Sequence, residues 1–474
     1  MRTPTGARIF RVACGSFLCL GLFSATGCAT LRATFAGYAT ARGGITRSQQ
    51  TLRDAMVDQD FVKALGWHDD DALLQSLTTG AAAYYAGQYA RSAAMLDTAA
   101  LLADDRITAS LSKDGLALVT NDMARPYQPR RTERLFIPYY AMLSYVRLGA
   151  WEDAAVEARR LVALLEQFGE DRDEAERSVH GSLEHLAGAV LERAGERDPA
   201  RVAYRAAHEL RNTLPETIPP ASIADQGELL LVVERGFVAH RATGTIELEL
   251  DDEDEHDTTR YDSLGRRRPL PLSQYGALSL ASSHHRRHHD DDDYHVTIAF
   301  PTLRRSPRPW GGDVRVAVDG LPVDGLSAST VVDDASAVDE RRERAALAVR
   351  AAARAAAKYA VTKAIKDKKG EVAGELANFG ASLLERADVR SWHLLPQEIA
   401  LIRVRVPAGT RDVRLQVGEG WAVRAVELGS VVVRRGELSI VPVRLWRDPA
   451  PSSTLVSPAP VIADAESCVT FFCP

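Results

Sequence analysis

Apolar and polar residues follow two different patterns along the chain, and the change between them lies near residue 215. From about 46 to 215, apolar residues recur with the period of an α-helix, and proline is scarce inside the periodic segments. Beyond Pro215 the chain has short runs rich in branched residues, such as Leu229 to Glu234, which are typical of strands. The two patterns predict an α+β fold in which a helical domain (46–215) precedes a mixed strand and helix domain (216–447).

Within the second domain the pattern predicts several strands and two helices. The expected strands are Leu229 to Glu234, Thr245 to Leu250, Val296 to Phe300, Val314 to Val318, Ile399 to Val406, Val413 to Val417, Val423 to Leu428, Ser430 to Val433 and Leu438 to Leu445. A long helix is expected from near Ser336 to about Lys368, and a second from about Glu371 to Arg386. Ser336 is the expected N-cap of the long helix, and Asp339 and Glu340 place negative charge near its start.

Three segments of the helical domain share a glycine where one helix is expected to end and the next to begin. These are Gly87, Gly149 and Gly195, and an aromatic residue follows two positions later in the first two segments, as Tyr89 and Trp151. A glycine there allows the left-handed backbone that ends many helices. The segments resemble tetratricopeptide repeats, although their glycines are 62 and 46 residues apart rather than about 34. The alternative is a plain bundle of alanine-rich helical hairpins.

The N-terminal segment has the features of an export signal. Three arginines precede a run of twelve apolar residues, Val12 to Phe23, which is shorter than the roughly 20 residues of a membrane-spanning helix. Ala25 and Gly27 then precede Cys28, which resembles the lipobox of bacterial lipoproteins, although Ala25 stands where that motif usually has leucine. We therefore expect a signal peptide over 1–27, lipid on Cys28 and a tether over 28–45. The alternative is an ordinary signal peptide cleaved near Ala25 or Ala29.

A lipid on Cys28 predicts a location as well as a partner. Several acyl chains on one cysteine give stable membrane anchoring, because each buried CH₂ contributes about 0.8 kcal/mol. The residue that follows Cys28 is Ala29 rather than aspartate, and this resembles the sorting pattern of outer-membrane lipoproteins. The expected location is the outer membrane, with the protein facing the periplasm of a Gram-negative cell.

The net charge bears on which partners the protein binds, and the last two cysteines bear on the state of the C-terminal tail. The 474-residue chain has a formal net charge of −6, so no general basic field favours nucleic acid. The tail over 448–474 is rich in proline and serine and carries Cys468 and Cys473, which pair in an oxidising compartment or stay free. A disulfide between them closes only a short loop and stabilises little beyond the tail itself.

The sequence offers one candidate metal-binding segment and no convincing catalytic set. An insertion over 251–295 is rich in histidine and aspartate, and its candidate ligands are His284, His285, His288, His289 and His295. Imidazole and carboxylate groups suit Zn, Ni or Cu, but a specific site needs three or four ligands in fixed geometry. The insertion is therefore interpreted as a flexible segment with at most weak, adventitious metal binding. His180 and Glu184-His185 lack the spacing of a zinc-binding helix and are expected on a helix surface.

Two further segments carry a resemblance to a known family. Asn121 to Tyr127 (sequence NDMARPY) and Asp388 to Pro396 (sequence DVRSWHLLP), with Gly227-Glu228 and Glu234 to Gly236, resemble an uncharacterised family of bacterial lipoproteins. That family has tetratricopeptide-like repeats followed by an α/β domain. Its genes tend to lie beside lipoproteins resembling a curli-secretion channel component and activators of penicillin-binding proteins. The resemblance implies a role in the cell envelope.

These features together predict an adaptor or scaffold for protein–protein interaction in envelope assembly or secretion, without enzymatic activity and without a cofactor besides the lipid. The repeats are expected to present their concave inner face to an envelope partner. The expected partners are the membrane and other envelope proteins, including lipoproteins, and no nucleic acid. Candidate interaction residues come from the two family-like segments: Arg125, Tyr127, Arg390 and Trp392. For Trp392 the sequence also predicts an anchor in the core or between domains, and the alternative is a tryptophan that stacks on a ligand. The alternative is an enzyme, or an accessory factor, that acts on envelope polymer.

Overall fold

The computed structural model describes residues 33–34, 40–42, 45–113, 126–169, 172–217, 225–250, 294–306, 313–343, 387–418 and 423–447. The predicted α+β class is confirmed, because helices fill the first half of the described chain and strands dominate the second. The chain forms two compact units, one of Met1–Tyr38 with Ile246–Thr297 and one of Ala39–Thr245 with Ile298–Pro474. In the first unit, the described backbone pairs strand β1 (Ala33–Thr34) with Leu250 and Glu249. The remaining description concerns the second unit.

Eight helices occupy the described residues between 47 and 210. They are α1 (Arg47–Val57), α2 (Phe61–Leu65), α3 (Ala72–Tyr85), α4 (Tyr89–Lys113), α5 (Arg131–Leu148), α6 (Trp151–Gln167), α7 (Glu174–Arg193) and α8 (Arg197–Leu210). Three helical hairpins join α3 to α4, α5 to α6 and α7 to α8. Gly87, Gly149 and Gly195 lie at the three turns with φ of 76°, 71° and 86°, which confirms the predicted left-handed caps.

The strands form three described sheets. The elements are β2 (Thr40–Arg42), β3 (Gln226–Arg235), β4 (His240–Leu250), β5 (Tyr294–Arg304), β6 (Val314–Val318), β7 (Leu321–Val323), β8 (Leu326–Val331), β9 (Glu398–Pro407), β10 (Gly409–Val417), β11 (Arg424–Val433) and β12 (Leu438–Leu445). The inner sheet has the order β12-β3-β9-β8, and the outer sheet has the order β11-β10-β6-β7. In the third sheet, β4 pairs with β1, β2 and β5.

The inner sheet lies between the helices and the outer sheet, and β3 shows why. Leu230 and Val232 belong to the core shared with the helices, whereas Leu229, Leu231 and Val233 belong to the core between the two sheets. Successive residues of a strand point to opposite faces, so an unbroken apolar run is buried on both sides. The helical and strand-rich regions therefore share one continuous core rather than having separate ones.

Strand β12 is an edge of the inner sheet and runs parallel to β3. The backbone N–H of Glu228 donates to the carbonyl of Glu437 at 2.9 Å, and that of Gly236 donates to the carbonyl of Leu445 at 2.9 Å. These two bonds begin and end the ladder between the strands.

Each expected strand has a counterpart, with three differences. β7 and β8 were not expected, because β7 has only three residues with a proline among them, and β8 consists mostly of small and polar residues. The two strands expected between Val423 and Val433 form the single strand β11, in which Gly429 takes a φ of 79° opposite a register shift in β10. The expected tether contains β1 and β2, whose pairing with β4 no local pattern indicates.

The expected helix start at Ser336 is wrong, because residues 332–343 are already helical. Val332, Ala335 and Val338 are buried on this helix, so packing rather than a capping residue sets where it begins. Asp339 and Glu340 were expected to complement the dipole at the helix start, but with the helix beginning at residue 332 they lie beyond its first turn, buried at 3% and 2% exposure. The rest of the long helix and the second helix lie outside the described residues.

We expect Gly227→Ala to destabilise the fold by about 1–3 kcal/mol, the usual cost of overpacking a well-packed site. A Cβ at this position would lie 2.2 Å from the Arg434 carbonyl oxygen and 2.7 Å from a Val433 methyl group, so the turn between β11 and β12 would have to move. Chemical denaturation would measure the free energy of unfolding. Gly66→Ala is the matched control, since the nearest atom there is at 3.4 Å. Equal stability of the two variants would contradict the prediction.

Candidate functional site at the junction of helices and sheet

The first helix of each hairpin faces the inner sheet and is buried on nearly all sides. Buried residues number 11 of 14 in α3, 13 of 18 in α5 and 14 of 20 in α7. In the second helices α6 and α8 they number only 6 of 17 and 4 of 14. The junction between the first helices and the sheet therefore holds most of the buried polar chemistry of the described chain.

Glu234, near the end of β3, is the centre of this junction and has no exposed surface. Its carboxylate accepts hydrogen bonds from the hydroxyls of Tyr85 at 2.9 Å, Tyr139 at 3.1 Å and Tyr140 at 3.0 Å. Burial raises the pKa of Glu234, although Arg444 and the three hydroxyls act in the opposite direction. The three tyrosines come from α3 and α5, so one carboxylate connects two helices to the sheet.

Arg444, on β12, supplies positive charge beside this carboxylate. Its Nη1 lies 4.0 Å from Glu234 Oε1, and its Nη2 donates to the carbonyl of Gly236 at 2.5 Å. The guanidinium lies over the Trp446 ring, 4.3 Å from its centroid, and 5.4 Å from that of Tyr85. A guanidinium against an aromatic face gains cation–π energy that grows as water is excluded.

A cavity of about 60 Å³ adjoins this cluster. Its lining residues come from the α3–α4 corner, the start of α2, the end of α5, and strands β3, β11 and β12: Gln59, Phe61, Tyr84, Tyr85, Tyr89, Arg147, Glu234, Val426, Leu428, Pro442, Val443, Arg444, Leu445 and Trp446. The buried carboxylate and guanidinium thus lie on the wall of a small space with aromatic and aliphatic sides.

A second ionic cluster joins α7 and α8 to the sheet. Arg403 of β9 contacts Glu192 at 3.0 Å and the Tyr204 hydroxyl at 2.7 Å, and its Nε donates to Glu228 at 2.6 Å. Arg405 adds a bond to Glu228 at 3.1 Å. Burial acts to lower the pKa of Arg403, but its tyrosine and carboxylate neighbours outweigh burial and raise it. Arg403 is therefore a fixed positive charge in the interior.

A third cluster joins the start of α5 to the helix at 332–343. Arg130 donates to Glu340 at 2.8 Å, and Asp339 accepts the backbone N–H of Thr132 at 2.8 Å. Burial raises the pKa of Asp339 to about 6. Arg241 of β4 lies 3.6 Å from Glu340, so two guanidiniums share one buried carboxylate.

Two of the predicted interaction residues lie in the protein interior. Trp392 has no exposed surface, and its backbone N–H donates to Glu133 of α5 at 2.7 Å. Tyr127 is 1% exposed, and its backbone N–H donates to Asp71 at 3.0 Å. Neither side chain is exposed to a partner, and the burial of Trp392 agrees with its predicted role as a core anchor. Both serve contacts within the chain, because the Asp388 to Pro396 segment packs against the first helices of the hairpins.

Arg390 lies beside Asp71, which also accepts the backbone N–H of Tyr127. Its side chain is 14% exposed, and its Nη1 lies 3.6 Å from Asp71, which also accepts Arg106 at 2.7 Å. It also donates to Asp388 at 2.8 Å. The two family-like segments thus meet at Asp71, the N-cap of α3.

The other predicted site residues cannot be placed in the fold. Cys28, Arg125, His284, His285, His288, His289, Cys468 and Cys473 lie outside the described residues, and only the backbone of His295 is described, in β5. Among the residues that are described, no group of three or more His, Cys, Asp or Glu could hold a metal ion. None of the described helices combines the length and the apolar character needed to cross a membrane.

The histidines of α7 are buried, which contradicts their expected place on a helix surface. His180, Glu184 and His185 are 2%, 3% and 0% exposed. The sequence predicts an exposed face for α7, but this helix lies between α6, α8 and the strands β8 and β12. Burial lowers the pKa of His185 to about 3, with a further contribution from Arg403, and burial raises the pKa of Glu184 to about 8.

The tyrosine, glutamate and arginine cluster was not predicted as a site. One signal was present, because Glu234 directly follows the apolar run Leu229 to Val233 of β3, and a buried strand has little reason to carry a carboxylate there. The adjacent pair Tyr139-Tyr140 in α5 gave no warning, since aromatic pairs are common in helix cores. Their convergence depends on the packing of two helices against β3, which no local pattern specifies.

Comparison with known proteins adds no relative. A scan against protein-family models, a search of curated proteins and a search of solved structures each returned no match.

We expect Glu234→Gln to cost about 3–5 kcal/mol of unfolding free energy, because it leaves the Arg444 guanidinium buried without a counter-charge. The double variant with Arg444→Gln should cost less than the sum of the two single variants, by at least about 1 kcal/mol. Denaturation of the four proteins completes the cycle. Additive effects would show that the two charges do not interact.

We expect His185 to bind one proton when the chain unfolds, and this uptake contributes to the pH dependence of the unfolding free energy. Between pH 6.5 and about 3 the unfolded chain holds a proton that the folded histidine lacks, so its contribution is complete above pH 6.5 and is lost as pH falls. As pH falls through that range, the unfolding free energy of the parent protein should therefore fall more steeply than that of His185→Phe, by up to about 1.4 kcal/mol per pH unit. Denaturation at pH 7, 6 and 5 measures this difference. His68→Phe is the control, since the His68 side chain is 77% exposed. Parallel profiles for parent and His185→Phe would contradict the assignment.

Proposed function

We propose that this protein is a lipid-anchored scaffold of the cell envelope, held through Cys28 at the outer membrane and facing the periplasm, which binds other envelope proteins through its helical region. The lipobox-like sequence supports the anchor, and the alternation of helical hairpins supports the interaction role. Repeat proteins of paired helices offer extended surfaces to partners because each hairpin adds a similar face.

One observation supports the scaffold role and changes which face carries it. The first helices of the hairpins are covered by the inner sheet and by Trp392 and its neighbours, so this chain fills its own inner helical face. The face left to a partner is that of the second helices α4, α6 and α8. A surface formed by a rigid, fully packed layer needs little reorganisation on binding.

The second helices carry isolated apolar side chains in a polar surround. Leu101 on α4, Val156 on α6 and Val202 on α8 are 74%, 46% and 59% exposed. Exposed ion pairs connect neighbouring helices, with Arg160 and Asp97 joining α6 to α4 at 3.6 Å. Apolar anchors within a polar rim are the usual composition of a protein-binding surface.

An enzyme or accessory factor for envelope polymer is the second candidate. The observation in its favour is a buried carboxyl, Glu234, on the wall of a cavity. Three tyrosine hydroxyls already occupy that carboxylate, so it has little capacity left to accept a proton from a substrate.

The scaffold proposal predicts that capture of the protein from gently solubilised envelopes yields one envelope protein in stoichiometric amount. Val156→Lys with Val202→Lys should abolish this recovery, because lysine places charge where the partner is expected to pack. Leu321→Lys is the matched control, since Leu321 is 70% exposed on the outer sheet.

The Cys28→Ala variant tests the anchor in the same experiment. We expect it to leave the membrane fraction and to lose the partner from the captured material. Loss of the partner only in Cys28→Ala would place recognition at the membrane rather than on the second helices. Recovery of no enriched protein in any sample would contradict the scaffold role.

A further inference from the structure

Strands β11 and β12 follow each other in the chain but belong to different sheets. The turn between them is closed by the Glu437 N–H, which donates to the Arg434 carbonyl at 3.2 Å. Next to it, the Ser439 hydroxyl donates to the Val432 carbonyl at 3.4 Å. Away from the turn, β11 continues in the outer sheet and β12 in the inner sheet. Because packed sheets lie about 10 Å apart, the two strands separate and leave a wedge between them.

The cavity described above lies in this wedge. Val426 and Leu428 of β11 form one wall, and residues 442–445 of β12 form another. Phe61 of α2 and Trp446 add aromatic walls. The volume of about 60 Å³ accommodates on the order of four water-sized groups, which is close to the size of one leucine side chain. The wedge therefore has room for one aliphatic side chain of an added segment.

The backbone bonds of β10 show which groups of β11 face this wedge. The Asp412 carbonyl of β10 accepts the Asp319 N–H at 2.8 Å. The Gly418 N–H at the other end of β10 donates to the Asp313 carbonyl at 3.3 Å. Even-numbered residues of β10 therefore direct their backbone groups to β6, and odd-numbered residues direct theirs to β11.

Three residues of β11 consequently have backbone groups that point away from β10. They are Ala425, Glu427 and Ser430, which lie opposite the even-numbered residues Gln416, Arg414 and Asp412. Ala425 and Ser430 are exposed, and no other described strand pairs with this edge. Unpaired N–H and C=O groups along a strand are a template for an added strand.

The chain itself leaves the described fold at this place. β12 ends at Leu445, and the next residue, Trp446, is a wall of the cavity. The tail 448–474 follows, outside the described residues, and its first large apolar residues are Leu455 and Val456. Leu455 comes nine positions after Trp446, so the connecting chain spans up to about 30 Å. Six residues of a strand measure only about 20 Å, so the tail reaches the whole free edge.

We propose that Ser452–Ser457 of the tail adds to the free edge of β11 as a strand and places the Leu455 side chain in the cavity. Pro451 and Pro458 flank this segment, and each lacks the N–H of a paired strand, so they limit the added strand to the residues between them. The segment carries no charge, so its binding does not depend on the buried guanidiniums.

One physical term favours this occupant over a free peptide. A short linker holds the segment at a millimolar effective concentration beside its site. Strand addition with a side chain in a pocket is a general mode of peptide recognition, so a partner with an extended segment of the same kind has to displace the tail. The contact needs neither the lipid anchor nor an envelope partner, and its test is independent of the scaffold role.

Hydrogen exchange on the purified full chain measures whether the edge is covered. We expect Leu455→Asp to accelerate exchange of the Ala425, Glu427 and Ser430 amides at least about tenfold, because the added strand no longer protects them. The amides of β11 that bond to β10 should exchange as in the parent protein. Ile462→Asp is the matched control, since Ile462 is an apolar residue of the tail beyond the proposed strand.

A disulfide trap tests the position of Leu455 directly. In a chain whose native cysteines are replaced by serine, Phe61→Cys with Leu455→Cys should form a disulfide within one chain, because Phe61 lines the cavity. Leu321→Cys with Leu455→Cys is the matched control, since Leu321 is 70% exposed on β7 at the opposite edge of the outer sheet. Mass spectrometry of digests gives the trapped fraction, which should be at least about tenfold higher for the first pair.

Ala425→Pro tests the backbone edge in the same trap. It removes an N–H that points away from β10, so the bonds between β10 and β11 remain while the added strand loses a donor. The fraction trapped between the cysteines at 61 and 455 should fall. Ala425→Ser keeps the N–H and should leave that fraction unchanged.

Three outcomes would overturn the proposal. Equal exchange in the parent protein and Leu455→Asp would show that this segment does not cover the edge. Equal trapping by the Phe61→Cys and Leu321→Cys pairs would show that the tail has no preferred place. A disulfide between two chains instead of within one would assign the edge to the tail of a second copy.

Discussion

The fold depends on burying charge between helices and sheet without leaving it unpaired. Glu234 illustrates the constraint, since a carboxylate with no exposed surface is tolerable only with hydrogen bonds and a nearby positive charge. Tyrosines from α3 and α5 and the guanidinium of Arg444 supply them. The same solution recurs around Arg403 and Arg130, so each of the three helical hairpins meets the strand region through a buried ionic group. Such groups add less net stability than apolar packing, but they penalise any other arrangement of the two layers.

Much of the architecture could be predicted, because it depends on local patterns. The period of apolar residues located the helical region, and runs such as Val314–Val318 and Leu438–Leu445 located strands with their correct bounds. The turn glycines were read correctly, because a left-handed cap has a strong residue preference. The predicted start of the long helix was wrong, because a local sequence pattern was used to infer a property that depends on tertiary packing. Ser336 is a good capping residue, yet the helix starts at residue 332 because Val332 and Ala335 find a buried surface.

The candidate site was harder to predict for the same reason. Trp392 and Tyr127 stood out as distinctive residues in otherwise ordinary sequence, and the structure places them in contacts within the chain. The helical region was expected to offer its inner face to another protein, but residues of the same chain, more than 200 positions away, fill it, as the bond between Trp392 and Glu133 shows. Glu234 and its three tyrosines come from three separate segments, and only the packed fold brings them together.

The pairing of β12 with β3 has a consequence for how the protein avoids its own copies. The bonds from Glu228 to Glu437 and from Gly236 to Leu445 show which backbone groups of β12 pair with β3. The N–H and C=O groups of its odd-numbered residues point to β3, and those of its even-numbered residues point away from β3. Pro442 is one of the outward positions, and it has no N–H to donate. A free strand edge invites another chain to extend the sheet, and a missing donor in its middle breaks the ladder such a chain would need. Pro442 is also buried at the wall of the cavity, so in the middle of β12 the outer edge has neither an N–H to offer nor an exposed position for another chain.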